Sequence, residues 1–258
     1  MVKWMSGWVM LLSGPLALAG GQPPVLSPAA PLYITTEYSP PTSMQEGDAV
    51  IGSATDKVRE AMGRAMVPYT IEMLPWKRAY SAALTRSDAC VYSTTRTPER
   101  EHLFKWVGPT DEGDWVLLGR ADRKYRLRSL EDARALRIGT YNGDARDEFL
   151  RTRGFRVDPA PNDMINPKKL MANRIDLWAA GLRRGTAVME LNGWSGKIVP
   201  VLTFNRVKLY LACNVGVPDA TIERLNAALD SMAKDGTARR LDRKYAAWVA
   251  RKPPPVQQ

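Results

Sequence analysis

Few residues in this chain can do chemistry. Its 258 residues include one histidine, His102, and two cysteines, Cys90 and Cys213. Neither a disulfide framework nor a cysteine-based four-ligand zinc site can be built from them. A histidine-dependent triad would need His102 as its base, yet His102 lies in the charged run Glu99 to Lys105, as surface histidines do. There is no glycine-rich phosphate loop and no pair of carboxylates at a clear catalytic spacing. What remains is two helix starts that carry arginine; on residues alone Arg100 reads as an exposed helix charge, with anion recognition the alternative. Thr97-Pro98 reads as an N-cap followed by an N1 proline, which places Arg100 at N3 of a helix. Free backbone N–H groups and the positive helix end favour an anion there, and a guanidinium donates two parallel hydrogen bonds to a carboxylate. A second helix start follows Gly143, at Asp144-Ala145-Arg146; Arg146 would assist an anion and Asp144 would compete with it.

The elements that must position these groups alternate between strand and helix. Leu32 to Thr36 reads as a strand. Val58, Ala61, Met62, Ala65 and Met66 form the buried face of a helix over Thr55 to Met66. Thr70 to Leu74 and Ala89 to Ser93 are strands around a helix over Trp76 to Leu84, and the Thr97-capped helix follows. This βαβαβ order calls for a parallel sheet with helices outside it. A similar pattern restarts after Trp115 to Gly119, with Ser129 and Asp132 as a capping-box-like helix start and Arg137 to Tyr141 as a strand. Helices start at Gly143-Asp144 and Asn166-Pro167. Ile175 to Ala179, Ile198 to Leu202 and Lys208 to Cys213 are three more strands. Two helices, Pro218 to Lys234 and Thr237 to Ala247, close the chain around Gly236, a C-cap glycine. Two α/β lobes result, with ligands expected outside the carboxyl ends of the strands.

Composition is that of an ordinary globular protein: 45% hydrophobic and 25% charged, with 19 Gly and 19 Pro, which argues against disorder or a polytopic membrane chain. The net charge of +10 invites a nucleic-acid reading, but the basic stretches Arg120 to Arg128 and Arg239 to Lys244 lack interleaved aromatics for base stacking. Both read as solvated faces, and no nucleic-acid partner is expected. Residues 1–19, with Lys3, the apolar run Trp4 to Leu18 and Ala17-Leu18-Ala19, read as a cleavable export signal. The run is too short and too interrupted by Gly7, Gly14 and Pro15 to serve as a membrane span. Residues 20–31 read as a linker and 251–258 as a disordered tail. An oxidising compartment permits a Cys90 to Cys213 bridge, but their apolar strand-like settings favour free buried thiols.

Several stretches resemble the periplasmic solute-binding proteins of family 3, which include the polar amino-acid receptors of ABC importers. They are Thr35-Thr36-Glu37-Tyr38-Ser39-Pro40-Pro41, Leu74-Pro75-Trp76-Lys77-Arg78-Ala79-Tyr80, and Ser93-Thr94-Thr95-Arg96-Thr97-Pro98-Glu99-Arg100 with Phe104 to Pro109. Ile138 to Arg146, Arg174-Ile175-Asp176 and Lys234-Asp235-Gly236-Thr237 follow in the same order, so the resemblance covers roughly Leu32 to Tyr245. It implies an α/β fold of two lobes, the type II periplasmic binding fold, each lobe a sheet flanked by helices and joined to the other by a two-strand hinge. Lobe 1 would comprise 32–114 and 214–250, and lobe 2 would comprise 115–213.

The resemblance also implies a site. Arg100 would clamp a ligand carboxylate, Ser93 and Thr95 would supply hydroxyl and backbone bonds, and Tyr38 and Trp76 would pack on the ligand. Glu37 would meet a basic ligand group in some members, and Arg78 could add a second positive contact. From lobe 2, Asp144, Ala145 and Arg146 stand where amino-acid receptors often carry Thr-Thr. The acid that binds an α-ammonium in such receptors would fall near Gly181, where this chain reads Ala180-Gly181-Leu182-Arg183-Arg184. That departure puts an ordinary α-amino acid in doubt. The expectation is a monomeric, cofactor-free, metal-free receptor in the periplasm that binds a small carboxylate-bearing solute and presents it to an ABC permease. The alternatives are an enzyme acting on a small organic acid in the same cleft and a soluble ligand sensor for a separate receptor.

Overall fold

The computed structural model describes Met1 and residues 30–246. The expected leader beyond Met1, the linker before residue 30 and the tail lie outside the described residues. Leu32–Thr36 forms β1, and a short hairpin follows from β2 (Met44–Glu46) and β3 (Ala49–Ile51). Helix α1 (Ser53–Arg64) leads to β4 (Tyr69–Met73), α2 (Trp76–Thr85) and β5 (Ala89–Thr95). Val58, Ala61, Met62 and Ala65 bury the expected face against the sheet. Met66 does not join them: the helix ends at Arg64, and Met66 takes a left-handed conformation (φ +51°) that turns its side chain out, 82% exposed.

The segment after Thr97 is a 3₁₀ turn, Pro98–Leu103, rather than an α-helix, and the Thr97 hydroxyl caps nothing. Only six residues separate Thr97 from the next strand, too short a span for a helix to develop an end field. That strand, β6, runs from Phe104 to Arg120. The second lobe continues with β7 (Ile138–Tyr141), α3 (Ala145–Thr152), β8 (Val157–Ala160), α4 (Asn166–Met171), β9 (Leu177–Gly181) and α5 (Leu182–Leu191). Strand β10 (Ile198–Asn214) returns to the first lobe, where α6 (Asp219–Lys234) and α7 (Thr237–Ala246) end the described chain. The capping box at Ser129 and Asp132 is present, closing a 3₁₀ turn over Leu130–Ala133.

The strands pair in the order β4-β1-β5-β10-β6-β9-β7-β8. β1 is parallel to β4 and β5, and β7 is parallel to β8 and β9. Between these two parallel blocks β6 and β10 run antiparallel along their whole length, from Ile198 opposite Arg120 to Asn214 opposite Phe104. They are the two-strand hinge. The two strands expected at Ile198 to Leu202 and Lys208 to Cys213 are therefore one: the polar stretch between them reads as a break, but its backbone is satisfied by β6 through bulged pairing. One core gathers Ile34, Val58, Met62, Tyr92 and Leu225 on one side of the hinge. The other side holds two clusters, one of Leu117, Ile138, Leu150 and Leu177 and one that includes Trp178 and Val188.

Cys90 and Cys213 are joined by a disulfide, which overturns the expectation of free thiols. They stand directly opposite one another on antiparallel β5 and β10, both fully buried. Neighbouring apolar residues say nothing about such register, so the sequence context of each cysteine is a poor guide to its state.

The C-terminal helices are tied down by charge as well as packing. Buried Lys57 on α1 reaches Asp242 of α7 at 2.7 Å and donates to the Thr110 carbonyl on the hinge. Asp235 accepts from the Thr237 N–H at the start of α7 and from Arg64 at 2.6 Å; together these bonds hold its carboxyl down at about 2. A carboxyl depressed on folding stabilises the native state above its unfolded value and loses that contribution as pH falls through the folded one. Acid titration of Asp235→Asn should accordingly show a shallower loss of stability between about pH 4 and pH 2 than the parent. Equal slopes would mean that the cap does not persist in solution.

Candidate functional site

A cavity of about 120 Å³ lies where the two lobes meet the hinge. Its first-lobe wall includes Thr36, Glu37, Trp76, Ser93, Thr95 and Arg100, and its second-lobe wall includes Asp144, Ala145, Arg146 and Arg184. Each wall is placed by a strand's carboxyl end. β1 delivers Thr36 and, one residue on, Glu37; β5 delivers Ser93 and Thr95. Between Thr94 and Val91, β5 carries one residue more than the facing stretch of β10, and Ser93 adopts φ +59° there. The bulge bends the strand and re-aims its side chains toward the cavity.

Arg100 is 3% exposed although it sits on a short surface turn. Its guanidinium lies 4.8 Å over the Tyr80 ring, and Nη2 donates to the Gly143 carbonyl at 3.4 Å and to Glu148 at 3.3 Å. Nε and Nη1 are buried without any partner. Two unsatisfied donors on a buried guanidinium are costly unless something occupies them, and a positive group in that state favours an anionic acceptor such as a carboxylate. Trp76, 4% exposed, closes the adjacent wall; its indole donates to the Gly143 carbonyl at 2.9 Å, and its backbone N–H to the Tyr141 hydroxyl at 3.3 Å. Burial pushes the Tyr141 hydroxyl up to about 12, so it stays protonated at neutral pH.

On the second lobe Asp144 is the N-cap of α3 and accepts from the Arg146 N–H. The same carboxylate binds the Arg146 guanidinium at 2.7 and 2.9 Å. Burial works against its charge, but Arg146 outweighs burial and holds it below the ordinary carboxylate value. The expected competition between Asp144 and an anion is thus resolved within the protein, because Asp144 and Arg146 neutralise each other.

Of the residues singled out from the sequence, Arg100, Ser93, Thr95, Trp76, Glu37, Asp144, Ala145 and Arg146 meet at this cavity. Tyr38 is half-buried but not on its wall, and Arg78 is exposed on α2. His102 is exposed, in keeping with its charged surroundings. Arg184 was not anticipated. It stands in the first turn of α5, a helix absent from the sequence reading, and its Nη1 reaches Glu37 of the opposite lobe at 2.5 Å. Its Nε lies 3.4 Å from Asp163, which is fully buried. Burial disfavours the Arg184 charge, but Glu37 and Asp163 overcome it and hold the proton on. Glu37 is displaced upward, burial outweighing its pairing with Arg184. The one signal in the sequence was Arg183-Arg184 at the place where an acid was expected.

The chain belongs to the bacterial extracellular solute-binding proteins, family 3, whose model matches residues 32–247. No curated protein matches it in sequence. Among solved structures, a histidine kinase sensor domain with similarity to periplasmic binding proteins superposes with a TM-score of 0.77 at 15% identity, covering 86% of this chain and 98% of that one. An ancestral arginine-binding protein bound to arginine gives 0.74 at 20% identity, over 86% of this chain and 100% of that one. The arginine-, lysine-, histidine-binding protein ArtJ from Geobacillus stearothermophilus gives 0.74 at 14% identity, over 85% and 96%. The fold is that of the type II periplasmic binding proteins, and the family is one of binding proteins. Among the described residues no helix is long and apolar enough to cross a membrane.

Proposed function

We propose that the chain is an exported, periplasmic receptor that closes its lobes on a small carboxylate-bearing solute and presents it to an ABC permease. The observation that carries this reading is the pair of buried, unpartnered nitrogens on Arg100, a residue that lines a cavity shared by both lobes. Arg100 and Trp76 reach from the first lobe to Gly143 of the second, so the cavity wall itself couples ligand contact to closure. The site residues are Arg100, Ser93, Thr95, Trp76, Glu37, Asp144, Ala145 and Arg146, with Arg184 added. Export is supported by the leader-like residues 1–19 and by the Cys90–Cys213 bridge, a bond that persists in oxidising compartments.

A thermal-shift screen of small mono- and dicarboxylates, amino acids and amines tests the reading. A carboxylate present at 100 times its dissociation constant should stabilise the protein by about 2.7 kcal/mol. The same ligand should reduce the radius of gyration in solution scattering, as expected of hinge closure. Stabilisation by amines alone would refute a carboxylate receptor.

A further inference from the structure

The charges around the cavity do not balance in the way a receptor for an amine would require. Asp144 is bound in two-point fashion by Arg146. Asp114 is held by Arg206 at 2.9 Å. Asp163 accepts from the Trp178 indole at 2.9 Å and from the Asn166 amide at 3.1 Å, and its other oxygen has no hydrogen-bond donor, only the Arg184 Nε at 3.4 Å. Glu37 is taken by the same arginine. Glu112 alone among the lining acids has no cationic partner, and it is exposed at the hinge rather than buried. Among the described residues, the charged side chains lining the cavity that keep buried nitrogens without a hydrogen-bond partner are both cations, Arg100 through Nε and Nη1 and Arg184 through Nε.

We propose that Arg184 is a built-in counter-cation, a specificity-determining residue that occupies the buried acidic corner formed by Glu37 and Asp163, so that the cleft takes a small carboxylate lacking an amine. The proposal rests on the receptor reading above and names its ligand class. Arg184 rises from the first turn of α5 and is anchored by Asp163 within its own lobe, whereas Glu37 comes from the other lobe at the end of β1. The guanidinium is therefore in place before closure, and closure brings Glu37 onto it. A ligand ammonium seeking Glu37 or Asp163 would have to displace Arg184 and leave it buried and unpaired, which is more costly than any contact it would gain. A ligand carboxylate meets no such obstacle at Arg100. Tyr141 packs along the same arginine, with its ring centre 5.6 Å from the guanidinium carbon, and so limits the room for displacement.

The test uses matched pairs on the mature protein by calorimetry: L-lactate against L-alanine, and glutarate against L-glutamate. The amine-free member should bind at least about tenfold more tightly, equivalent to about 1.4 kcal/mol. Equal affinities, or a preference for the amine, overturn the proposal while leaving the receptor reading intact. Two variants decide the role of Arg184 without any natural ligand. Arg184→Ala opens the acidic corner, so methylguanidinium should raise its thermal midpoint while leaving that of the parent unchanged. Glu37→Gln keeps the fold's cation but removes its partner, so glutarate should bind this variant at least about tenfold more tightly than the parent. A methylguanidinium shift in both proteins or in neither, or glutarate affinity unaltered by Glu37→Gln, shows that Arg184 does not hold that corner. If no carboxylate binds the parent at all, the receptor reading falls, and methylguanidinium rescue still decides the role of Arg184.

Discussion

Arg100→Ala should weaken binding of a carboxylate ligand at least roughly thirtyfold, about 2 kcal/mol, because a charge-assisted pair in a desolvated cleft loses one partner and leaves the other unpaired. The ligand-free protein should behave differently. Arg100 is 3% exposed, yet two of its nitrogens have no partner, and Glu148, its one ionic contact, is 42% exposed at the side chain and can be rehydrated. Removing such a guanidinium relieves a desolvation cost and gives up a cation–π contact with Tyr80, effects of opposite sign. The thermal midpoint without ligand should therefore shift by no more than the equivalent of about 1 kcal/mol. Arg100→Lys should restore only part of the affinity, since a compact ammonium cannot reproduce the fixed, planar spread of guanidinium donors. Calorimetry and thermal melts on parent and both variants separate the cases. Unchanged affinity in Arg100→Ala would remove the central site assignment, and a collapse of the ligand-free midpoint would make the residue structural.

Opening the Cys90–Cys213 bridge should produce the largest change in stability. The crosslink spans 123 residues of chain. By the chain-entropy account, a bridge closing a loop on the order of 100 residues restricts the unfolded ensemble by about 4.7 kcal/mol, and native bridges measured by removal give roughly 2 to 5. Cys90→Ala with Cys213→Ala should accordingly lower the midpoint by at least about 5 °C, given a shift of roughly 2 to 4 °C per kcal/mol for a chain of this size. Both cysteines are wholly buried where β5 meets β10, so the truncation adds a packing loss. Reductant should lower the parent's midpoint toward that of the double variant once the protein is unfolded far enough to expose the sulfurs, but less far, because the reduced thiols keep the packing that alanine loses. Two titratable thiols in the untreated parent, or a midpoint indifferent to the double substitution, would show that the bridge does not form.

Local physics explains which features were legible from residues alone. The strand at Leu32 to Thr36 and the 3.6-residue spacing of Val58, Ala61 and Met62 depend on near neighbours; the strand forms over those residues, and the helix forms with its ends shifted by two residues. The capping box at Ser129 and Asp132 is likewise a contact across three residues, and it forms. Arg100 was identifiable because its motif is continuous in sequence, although the reason first given for it, a helix end, does not hold on a 3₁₀ turn. Its importance comes from burial, which no local pattern displays.

Tertiary structure alone decided the rest. The pairing of Cys90 with Cys213 depends on β10 crossing from one lobe to the other in a register that sets them opposite each other. Hairpin β2–β3 and helix α5 are short and carry weak periodicity, and they are stabilised by what they pack against. Tyr38 and Arg78 carry suitable chemistry, yet the turn after β1 and the exposed face of α2 leave them off the cavity wall. Glu37 and Arg184 lie 147 residues apart and belong to different lobes. Composition and spacing settle what each segment can form, because hydrogen bonding and burial of a single helix or strand are short-range demands. Which charges meet across the cleft depends on the path of the chain through both hinge strands, and that path is determined only when the two cores pack.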